Sequence, residues 1–462
     1  MREWTTERVA RAAGAELVRA GGRADGADRA DGEGPGPAHV SIDSREAGPG
    51  ALFVGIPGAR VDGGRFAREV LAAGAWGVLL TPERASHAAA VQGAGAVLAA
   101  ADPVLALGRL ARAWRRELAC RVIAVTGSTG KTSTKDILAA LLRPARPTVA
   151  SCANLNTEIG LPLQILTAPA DTEILVLELA MRGAGQIAEL AAICEPDVGV
   201  IVNVGPVHLE LLGSLEAVAA AKAELLGGLR AGGTAIVPHG EPLLAPHLRP
   251  ELRTLSFGPG GDAEVLEAGG STVVLALEGE RFELELSFAR PHLRTNLLAA
   301  LLAARAVGVE PPARLEVAFS AARGDRIEAP SGVLVLDDCY NANPMSMRAA
   351  LDDLAATAAD RGGRRVAVLG DMLELGPEER AYHEELGRQA AHAGVDQLVT
   401  VGPLAAVAAT TFAGPSRRAV DAAEAAELLP ALLAPGDTVL VKASNGVGLA
   451  EVSRRLTRPV LS

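Results

Sequence analysis

The stretch Val122–Leu142 reads VIAVTGSTGKTSTKDILAALL: an apolar run, a turn punctuated by Gly127 and Gly130, and a helix-patterned segment. Gly-Lys-Thr placed between a strand and a helix suits phosphate. Glycines let the backbone approach closely, and the helix N-terminus directs N–H groups at an anion. The lysine reaches outer phosphates, and the threonine hydroxyl can ligate Mg²⁺. A full Walker A pattern needs a glycine five positions before Gly130, where this chain has Val125. The expectation therefore rests on the shorter run Thr126, Gly127, Ser128, Thr129, Gly130, Lys131, Thr132, with Ser133 following. The plainer alternative is a glycine-rich turn carrying a surface lysine.

Further polar residues cluster where apolar runs end. Glu178 lies at the end of EILVLEL, Asn203 at the end of VGVIVNV and His208 just past it, with Lys222 fourteen residues beyond His208 in an alanine-rich helical segment. A carboxylate, a histidine and the loop threonine can together hold hard cations against a polyphosphate. Taken singly, His208 also reads as a turn histidine and Lys222 as a lysine snorkelling from a helix face. SCANLNTEIGLP groups Asn154, Asn156 and Thr157, residue types that also suit ordinary turns. LDDCYNANPMSM puts Asp337, Asp338, Tyr340, Asn341 and Asn343 on one strand-to-helix connection, more polar groups than a turn requires. LGDMLELG (369–376) and VKASNG (441–446) repeat the arrangement, which predicts a shared cleft.

The elements that must position these residues follow from periodicity. Apolar runs at Val122–Val125, Glu173–Leu179 and Val198–Val204 alternate with helical patterns, which predicts a mostly parallel sheet covered on both faces. STVVLALEGERFELELSF breaks the rhythm and predicts an antiparallel hairpin turning at Glu278, Gly279 and Glu280. A second alternating series has strands VLVLDDC, RRVAVLG, QLVTV and DTVLVKAS, with helices around 345–359, 377–393 and 421–433. Ahead of both lies a smaller α/β unit. Asp102 and Pro103 open a helix through Leu118 that leads out of it, as N-cap and first helical residue. The division expected is an N-terminal α/β domain at 1–101, a central phosphate-loop domain with helices on both sheet faces at 102–316, and a Rossmann-like α/β domain at 317–462. Arg19–Pro37, RAGGRADGADRADGEGPGP, buries no apolar surface and reads as a mobile loop or insertion.

A net charge of −11, from 44 basic and 55 acidic residues, argues against a nucleic-acid binder. It leaves room for small anions held by local cations. Cys120, Cys152, Cys194 and Cys339 lie far apart, so buried free thiols are expected rather than a zinc site or disulfides. No apolar segment approaches the ~20 residues needed to span a bilayer, and the charged start lacks a signal-peptide core. A cytoplasmic protein is expected.

TGSTGKT, NLNTEIGLP, ELAMRGAGQI and NVGPVHLELLGS, in this order, resemble the central domain of the Mur ligases, ATP-dependent amide-forming enzymes of peptidoglycan synthesis. DDCYNANPMSM followed by LGDMLELG is similar to the member that adds D-alanyl-D-alanine to UDP-N-acetylmuramoyl-tripeptide, and SIDSREAGPGALFVGIPG extends the likeness to the start. The resemblance implies that the tripeptide carboxylate takes the γ-phosphoryl group of ATP. The dipeptide amine then displaces phosphate from the acyl phosphate. Neutralising and positioning anions is what such chemistry asks of a protein.

For individual residues the resemblance implies Mg²⁺ on Thr132 and Glu178, and a second Mg²⁺ served by His208 and a carbamylated Lys222. Asn296 matches an adenine contact, Arg326 a linker arginine near the γ-phosphate, and Asp338 a nucleotide contact from the last domain. Tyr340, Asn341 and Asn343 would lie near nucleotide or dipeptide, with Asn154, Asn156 and Thr157 also on the substrate side. Ser44 and Arg45 would hold the UDP-linked substrate, against the plainer reading of a capped turn with a solvated arginine. Lys131, His208, Lys222 and Arg326 form the expected catalytic group, in a monomer that inserts in no membrane. The chain departs from the family at Arg290 and Leu293 of RPHLRTN, where Gly and Asn are usual. It departs again at Ala443 and Asn445 of KASN, where Lys-Gly-Ser-Arg is usual, and at Cys339, where Ser is common.

Besides a non-catalytic binding relative, disfavoured because Lys131, Thr132, Glu178, His208 and Lys222 are all present, two rival readings remain. A sister ligase adding the third-position amino acid would carry a different motif in place of YNANP. A nucleotide-hydrolysing switch would leave the Glu178, His208 and Lys222 set and the SIDSR segment without a purpose. Dependence of turnover on both the UDP-tripeptide and the dipeptide separates all three.

Overall fold

The computed structural model describes Met1 and residues 3–21, 36–90 and 95–458. Most of the repeated Arg-Ala-Asp-Gly stretch lies outside the described residues. Three sheets follow one another along the chain. The first contains β1 (Glu16–Arg19), β2 (His39–Ser41), β3 (Ala51–Val54), β4 (Gly77–Leu80) and β5 (Ala96–Ala99), in the order β1-β5-β4-β3-β2. β2 to β5 are parallel neighbours and β1 pairs antiparallel to β5.

The second sheet has β6 (Arg121–Thr126), β7 (Thr148–Ala150), β8 (Ile174–Glu178), β9 (Val198–Ile201), β10 (Thr234–Pro238), β11 (Arg253–Phe257), β12 (Ala263–Gly269), β13 (Thr272–Leu277), β14 (Glu280–Leu286) and β15 (Arg314–Leu315). Their order is β15-β14-β13-β12-β11-β10-β9-β6-β8-β7. β8 and β9 are buried at every position, as strands covered on both faces must be. β13 instead alternates buried and half-buried residues and pairs antiparallel with β12 and β14. The expected hairpin turns where foreseen, with Glu278 and Gly279 at φ +49° and +84°, the positive pair that a two-residue loop requires. β12 is an antiparallel partner that the alternation did not predict, because AEVLEAG carries charges along both faces.

The third sheet has β16 (Asp325–Glu328), β17 (Leu334–Asp337), β18 (Arg365–Gly370), β19 (Gln397–Val401), β20 (Ser416–Ala419) and β21 (Thr438–Lys442), ordered β16-β17-β21-β18-β19-β20. Only β16 is antiparallel among these pairs. The edge strands β16 and β20, polar and short, are the two that sequence periodicity misses. The molecule is an α/β protein of three mostly parallel layers.

Helix Pro103–Leu118 begins as expected: Asp102 accepts hydrogen bonds from the N–H groups of Val104 (2.9 Å) and Leu105 (3.0 Å). It packs against helices Thr6–Ala13, Gly160–Leu166 and Gln186–Cys194, with Trp114 edge-on to Trp4 at 5.7 Å. Helix Lys131–Leu142 is covered by the sheet and by helix Pro291–Ala306. Ile137, Leu138, Leu141 and Leu142 are buried there. Each such side chain contributes about 1.5–3 kcal/mol, so the phosphate-loop helix is anchored by its far end rather than its first turn. Cys120, Cys194 and Cys339 are buried free thiols, whereas Cys152 is exposed in the loop after β7, contrary to expectation.

Candidate active site

In the second sheet β7 and β8 lie on one side of β6, and the chain then crosses back to place β9 on the other side, so a crevice opens past the carboxyl end of β6. The phosphate loop occupies that position. Gly130, at φ +78°, caps helix Lys131–Leu142, and a Cβ there would come within 2.8 Å of the Asn296 amide. Asn203 braces the loop: its Oδ1 accepts from Ser128 N (3.0 Å) and Thr129 N (2.9 Å), and its Nδ2 donates to Thr129 O (3.1 Å). The Ser128 hydroxyl donates to Gly205 O (3.0 Å) and accepts from Gly205 N (2.8 Å). The loop is thus rigid while the N–H groups of the first helical turn, which have no intrahelical acceptor, stay available to an anion.

Glu178, 3% exposed at the end of β8, is the node beneath this loop. Its Oε2 accepts from Thr132 Oγ1 (2.8 Å), its Oε1 from Asn156 Nδ2 (2.9 Å), and its own N–H donates to Ser151 Oγ (3.1 Å). Arg323 Nη2 also donates to Thr132 Oγ1 (2.9 Å). Lys131 Nζ donates to Gly127 O (2.8 Å). Burial pulls the Lys131 ammonium below its ordinary range, Glu178 offsets part of this, and Arg323 adds to it. The hard oxygens of Thr132 and Glu178 fit Mg²⁺, which takes one or two protein oxygens and completes its shell with phosphate and water. Among the described residues no group of three or more His, Cys, Asp and Glu side chains forms a metal site of its own.

His208 stands in a left-handed conformation (φ +53°) ahead of a short helix, and its Nδ1 meets Glu374 Oε2 of the third sheet's loop. Burial lowers the imidazole's pKa, Glu374 pulls it back up, and Lys131 and Lys222 push it down. Lys222 is 2% exposed and has no hydrogen bond or ion pair with the described residues. Burial first, then repulsion from Lys131, holds its amine well below the ordinary lysine range. It lies behind the cavity wall rather than on it.

The third sheet supplies the opposite wall. Lys442, buried at the end of β21, pairs with Asp338 (2.6 Å) and donates to Asn341 O (2.9 Å). Asn343 forms a capping box with Ser346 at the start of helix Pro344–Arg361, and its Nδ2 reaches Ser128 O (3.4 Å). Asn341 turns its Oδ1 to the Ala342 N–H (2.9 Å). The Arg323 guanidinium lies 3.8 Å over the Tyr340 ring. Arg290 donates to Arg323 O (2.9 Å) and Gly324 O (2.6 Å) and so fixes the segment carrying Arg323.

Together these walls enclose a cavity of about 900 Å³. Of the expected residues it gathers Ser128, Thr129, Gly130, Lys131, Thr132, Ser133, Asn156, Thr157, Glu178, His208, Asn296, Asp338, Tyr340, Asn341 and Asn343. Gly127 forms the loop but not the lining.

Besides Lys222, four others lie elsewhere. Asn154 is exposed on its turn. Ser44 belongs to the first sheet's unit, and Arg45, its side chain 86% exposed, is tied to Asp43 through its Nε (2.9 Å) and backbone N–H (3.0 Å). Arg326 departs most. Its guanidinium binds Asp353 (2.9 Å) and Thr357 (3.0 Å) on helix Pro344–Arg361 and lines no part of the cavity. Neighbouring residues on β16 point to opposite sides, and Arg323, just before that strand, takes the place beside Thr132. Arg323, Glu374 and Lys442 are the site residues that sequence reasoning passes over. Their motifs, LGDMLELG and VKASNG among them, were legible as polar strand ends, but not which side chain turns inward.

Comparison with known proteins agrees along the chain. Residues 38–119 match the description "Mur ligase family, catalytic domain", 125–304 "Mur ligase middle domain", and 322–445 "Mur ligase, glutamate ligase domain". The UDP-N-acetylmuramoyl-tripeptide--D-alanyl-D-alanine ligase of Mycobacterium tuberculosis is 37% identical, over 90% of this chain and 91% of that protein. The structure of MurF from Acinetobacter baumannii superposes with a TM-score of 0.85 at 29% identity, covering 98% of each chain. That of the MurF ligase from Thermotoga maritima in complex with ADP gives 0.79 at 30% identity, covering 91% of this chain and 97% of that one.

Proposed function

The chain belongs to the Mur ligase family, and from that premise we propose that it joins D-alanyl-D-alanine to UDP-N-acetylmuramoyl-tripeptide at the expense of ATP. The observation that carries this reading is the wall-to-wall cavity itself. A phosphate loop with Thr132 hydrogen-bonded to Glu178 faces a polar wall built on DDCYNANP, and that pairing is what a ligase with a nucleotide on one side and a peptide on the other requires.

The tripeptide's terminal carboxylate oxygen attacks the γ-phosphorus of ATP, and ADP leaves. The dipeptide nitrogen then attacks the acyl carbon, phosphate departs with the acyl C–O electron pair, and the nitrogen's proton passes to solvent or a nearby base. The first-turn N–H groups after Gly130 cradle phosphate, while Lys131 and Arg323 neutralise charge on the transferring group. Mg²⁺, when bound by Thr132 and Glu178, supplies Lewis-acid neutralisation of the phosphates. Asn296 and Asp338 contact nucleotide from either wall, and Asn156, Thr157, Tyr340, Asn341 and Asn343 border the peptide. Ser44 and Arg45 engage the UDP portion, which places that contact on the first sheet's unit.

Lys222 is proposed to be carbamylated and, with His208, to serve a second Mg²⁺. Only a neutral amine adds CO₂, and burial beside Lys131 favours the neutral form. The division at 1–101, 102–316 and 317–462 is proposed to give a UDP-substrate domain, an ATP domain and a closing domain. No described helix is long and apolar enough to cross a membrane. A monomer working in the cytoplasm, where ATP is made, without nucleic acid, is the setting proposed.

The test is phosphate release from ATP with UDP-N-acetylmuramoyl-tripeptide, with and without D-Ala-D-Ala. Release that needs both, with the pentapeptide product seen by mass, supports the ligase. Hydrolysis indifferent to both overturns it.

A further inference from the structure

Glu374 is given no role by the ligase reading, yet its carboxylate reaches from the third sheet's unit to His208 and Arg182 of the second. It follows β18 in the segment LGDMLELG and adopts a left-handed conformation at φ +64°. A non-glycine residue held there needs its surroundings to fix it, and they do. Met372 N donates to His383 Nε2 (3.0 Å), Leu373 N to Ser444 Oγ (3.0 Å), and Ser444 N to Asp371 O (3.0 Å). Across the cleft, Glu210 N donates to Glu374 O (3.3 Å), and a Cβ on Gly376 would sit 3.1 Å from Glu210 N. The loop is therefore rigid and pressed against the second unit. From it the Glu374 carboxylate receives both the His208 ring and the Arg182 guanidinium.

We propose that Glu374 is a positioning residue for the ligation: its carboxylate takes the Nδ1–H of His208 and so fixes the ring with the Nε2 lone pair left for the cation that would neutralise the reacting phosphate. A carboxylate can only accept, so the ring proton resides on Nδ1 and the other nitrogen is left as the donor of a lone pair. Carboxylate-to-histidine bonds of this kind orient a ring whose second nitrogen serves a metal. Arg182 shares the same carboxylate through its other oxygen. Because the contact joins two units, the centre is complete only when they meet. This rests on the ligase reading for what His208 acts upon.

The test begins with wild type ligating both substrates, since its failure there would undo the ligase reading and not this one. Glu374→Gln is then measured, and Glu374→Gly as a second variant that relieves the left-handed backbone. We expect kcat to fall roughly 10- to 100-fold, the usual cost of losing such an orienting partner. KM for ATP should stay within about twofold, because the phosphate loop is untouched. Mn²⁺ affinity of the ternary complex with ADP, read by electron paramagnetic resonance, should weaken by about the same factor as kcat. In a His208→Gln background, Glu374→Gln should cost less than about twofold further, as expected of residues acting through one another. Unchanged kcat and Mn²⁺ affinity in the single variants overturn the proposal. So does an equal loss in both backgrounds.

Discussion

Thr132 Oγ1 and Glu178 Oε2 lie 2.8 Å apart, at the first turn of one helix and the last residue of a strand two connections later. The pair is assembled by sheet order: β8 lies directly beside β6, so the end of one strand faces the start of the helix that follows the other. Asn156 from a third segment holds the second carboxylate oxygen (2.9 Å). A Glu178→Gln variant keeps the shape but removes the charge and turns one of the two acceptor oxygens into an NH2 donor, so that only one of the bonds from Thr132 and Asn156 is kept. It should lower kcat/KM by about 10²- to 10³-fold, in line with the loss of one preorganised electrostatic partner. Raising Mg²⁺ should restore part of the rate. Steady-state assays at two Mg²⁺ concentrations check it, and near-wild-type turnover at both would remove Glu178 from the metal site.

Arg323 and Arg326 make a pair of opposed predictions. Arg323 donates to Thr132 and stacks on Tyr340, so Arg323→Ala should reduce kcat by about 10²-fold or more through lost charge neutralisation. Arg326 binds Asp353 and Thr357 instead. Arg326→Ala should change kcat by less than about threefold and cost about 1–2 kcal/mol of stability through hydrogen bonds to a charged partner. Parallel turnover and denaturation measurements distinguish them. The reverse ranking would return the phosphate arginine to position 326.

Lys222 should carry a carbamate. With ¹³C-bicarbonate, a carbamate carbon resonance should appear in wild type and be missing from Lys222→Ala, which should also lose turnover by about 10²-fold or more. Lys222→Arg should be equally impaired, since guanidinium cannot add CO₂ and a like charge would be buried beside Lys131. A labelled spectrum without that signal, alongside full activity, would mean the buried amine acts uncarbamylated.

How far this arrangement is legible in the sequence depends on the kind of residue. Strands such as VIAV and VLVLDD announce themselves because they are apolar throughout, and GSTGKT does so because only a few spacings cradle phosphate. Asp102-Pro103 marks its helix for the same local reason. β16 and β20 stay hidden because edge strands need no apolar face. Arg323, Glu374 and Lys442 are hidden for a different reason: each acts through a partner far along the chain, at 132, 208 and 338. Spacing cannot tell Arg323 from Arg326, three residues on, when β16 begins between them and decides which one faces the cleft. Arg290 shows the reverse, a residue whose use, holding the carbonyls of residues 323 and 324, only the fold reveals.

His383 gives a stability prediction whose sign can be worked out. The ring is fully buried, accepts a hydrogen bond from Met372 N at Nε2 (3.0 Å), and directs Nδ1 to Glu379 O (2.7 Å). Only the neutral ring makes both bonds, with the proton on Nδ1. Burial lowers its pKa, and the Glu379 carbonyl, Asp371 and the Glu379 carboxylate offset only part of that. In the unfolded chain the ring titrates near ~6.5, so below that pH the unfolded state binds the extra proton. The contribution is complete above about 6.5 and is lost as pH falls from there toward the folded value, by up to about 1.4 kcal/mol per pH unit. Urea denaturation at pH 7.5 and 5.5 should show wild type losing more stability than His383→Gln, whose amide can replace at least the Met372 bond without titrating. Because this ring also braces the loop that carries Glu374, the acid loss should appear first as exchange of the Met372 and Leu373 amides. Equal acid sensitivity of the two proteins would assign the loss to carboxylates elsewhere.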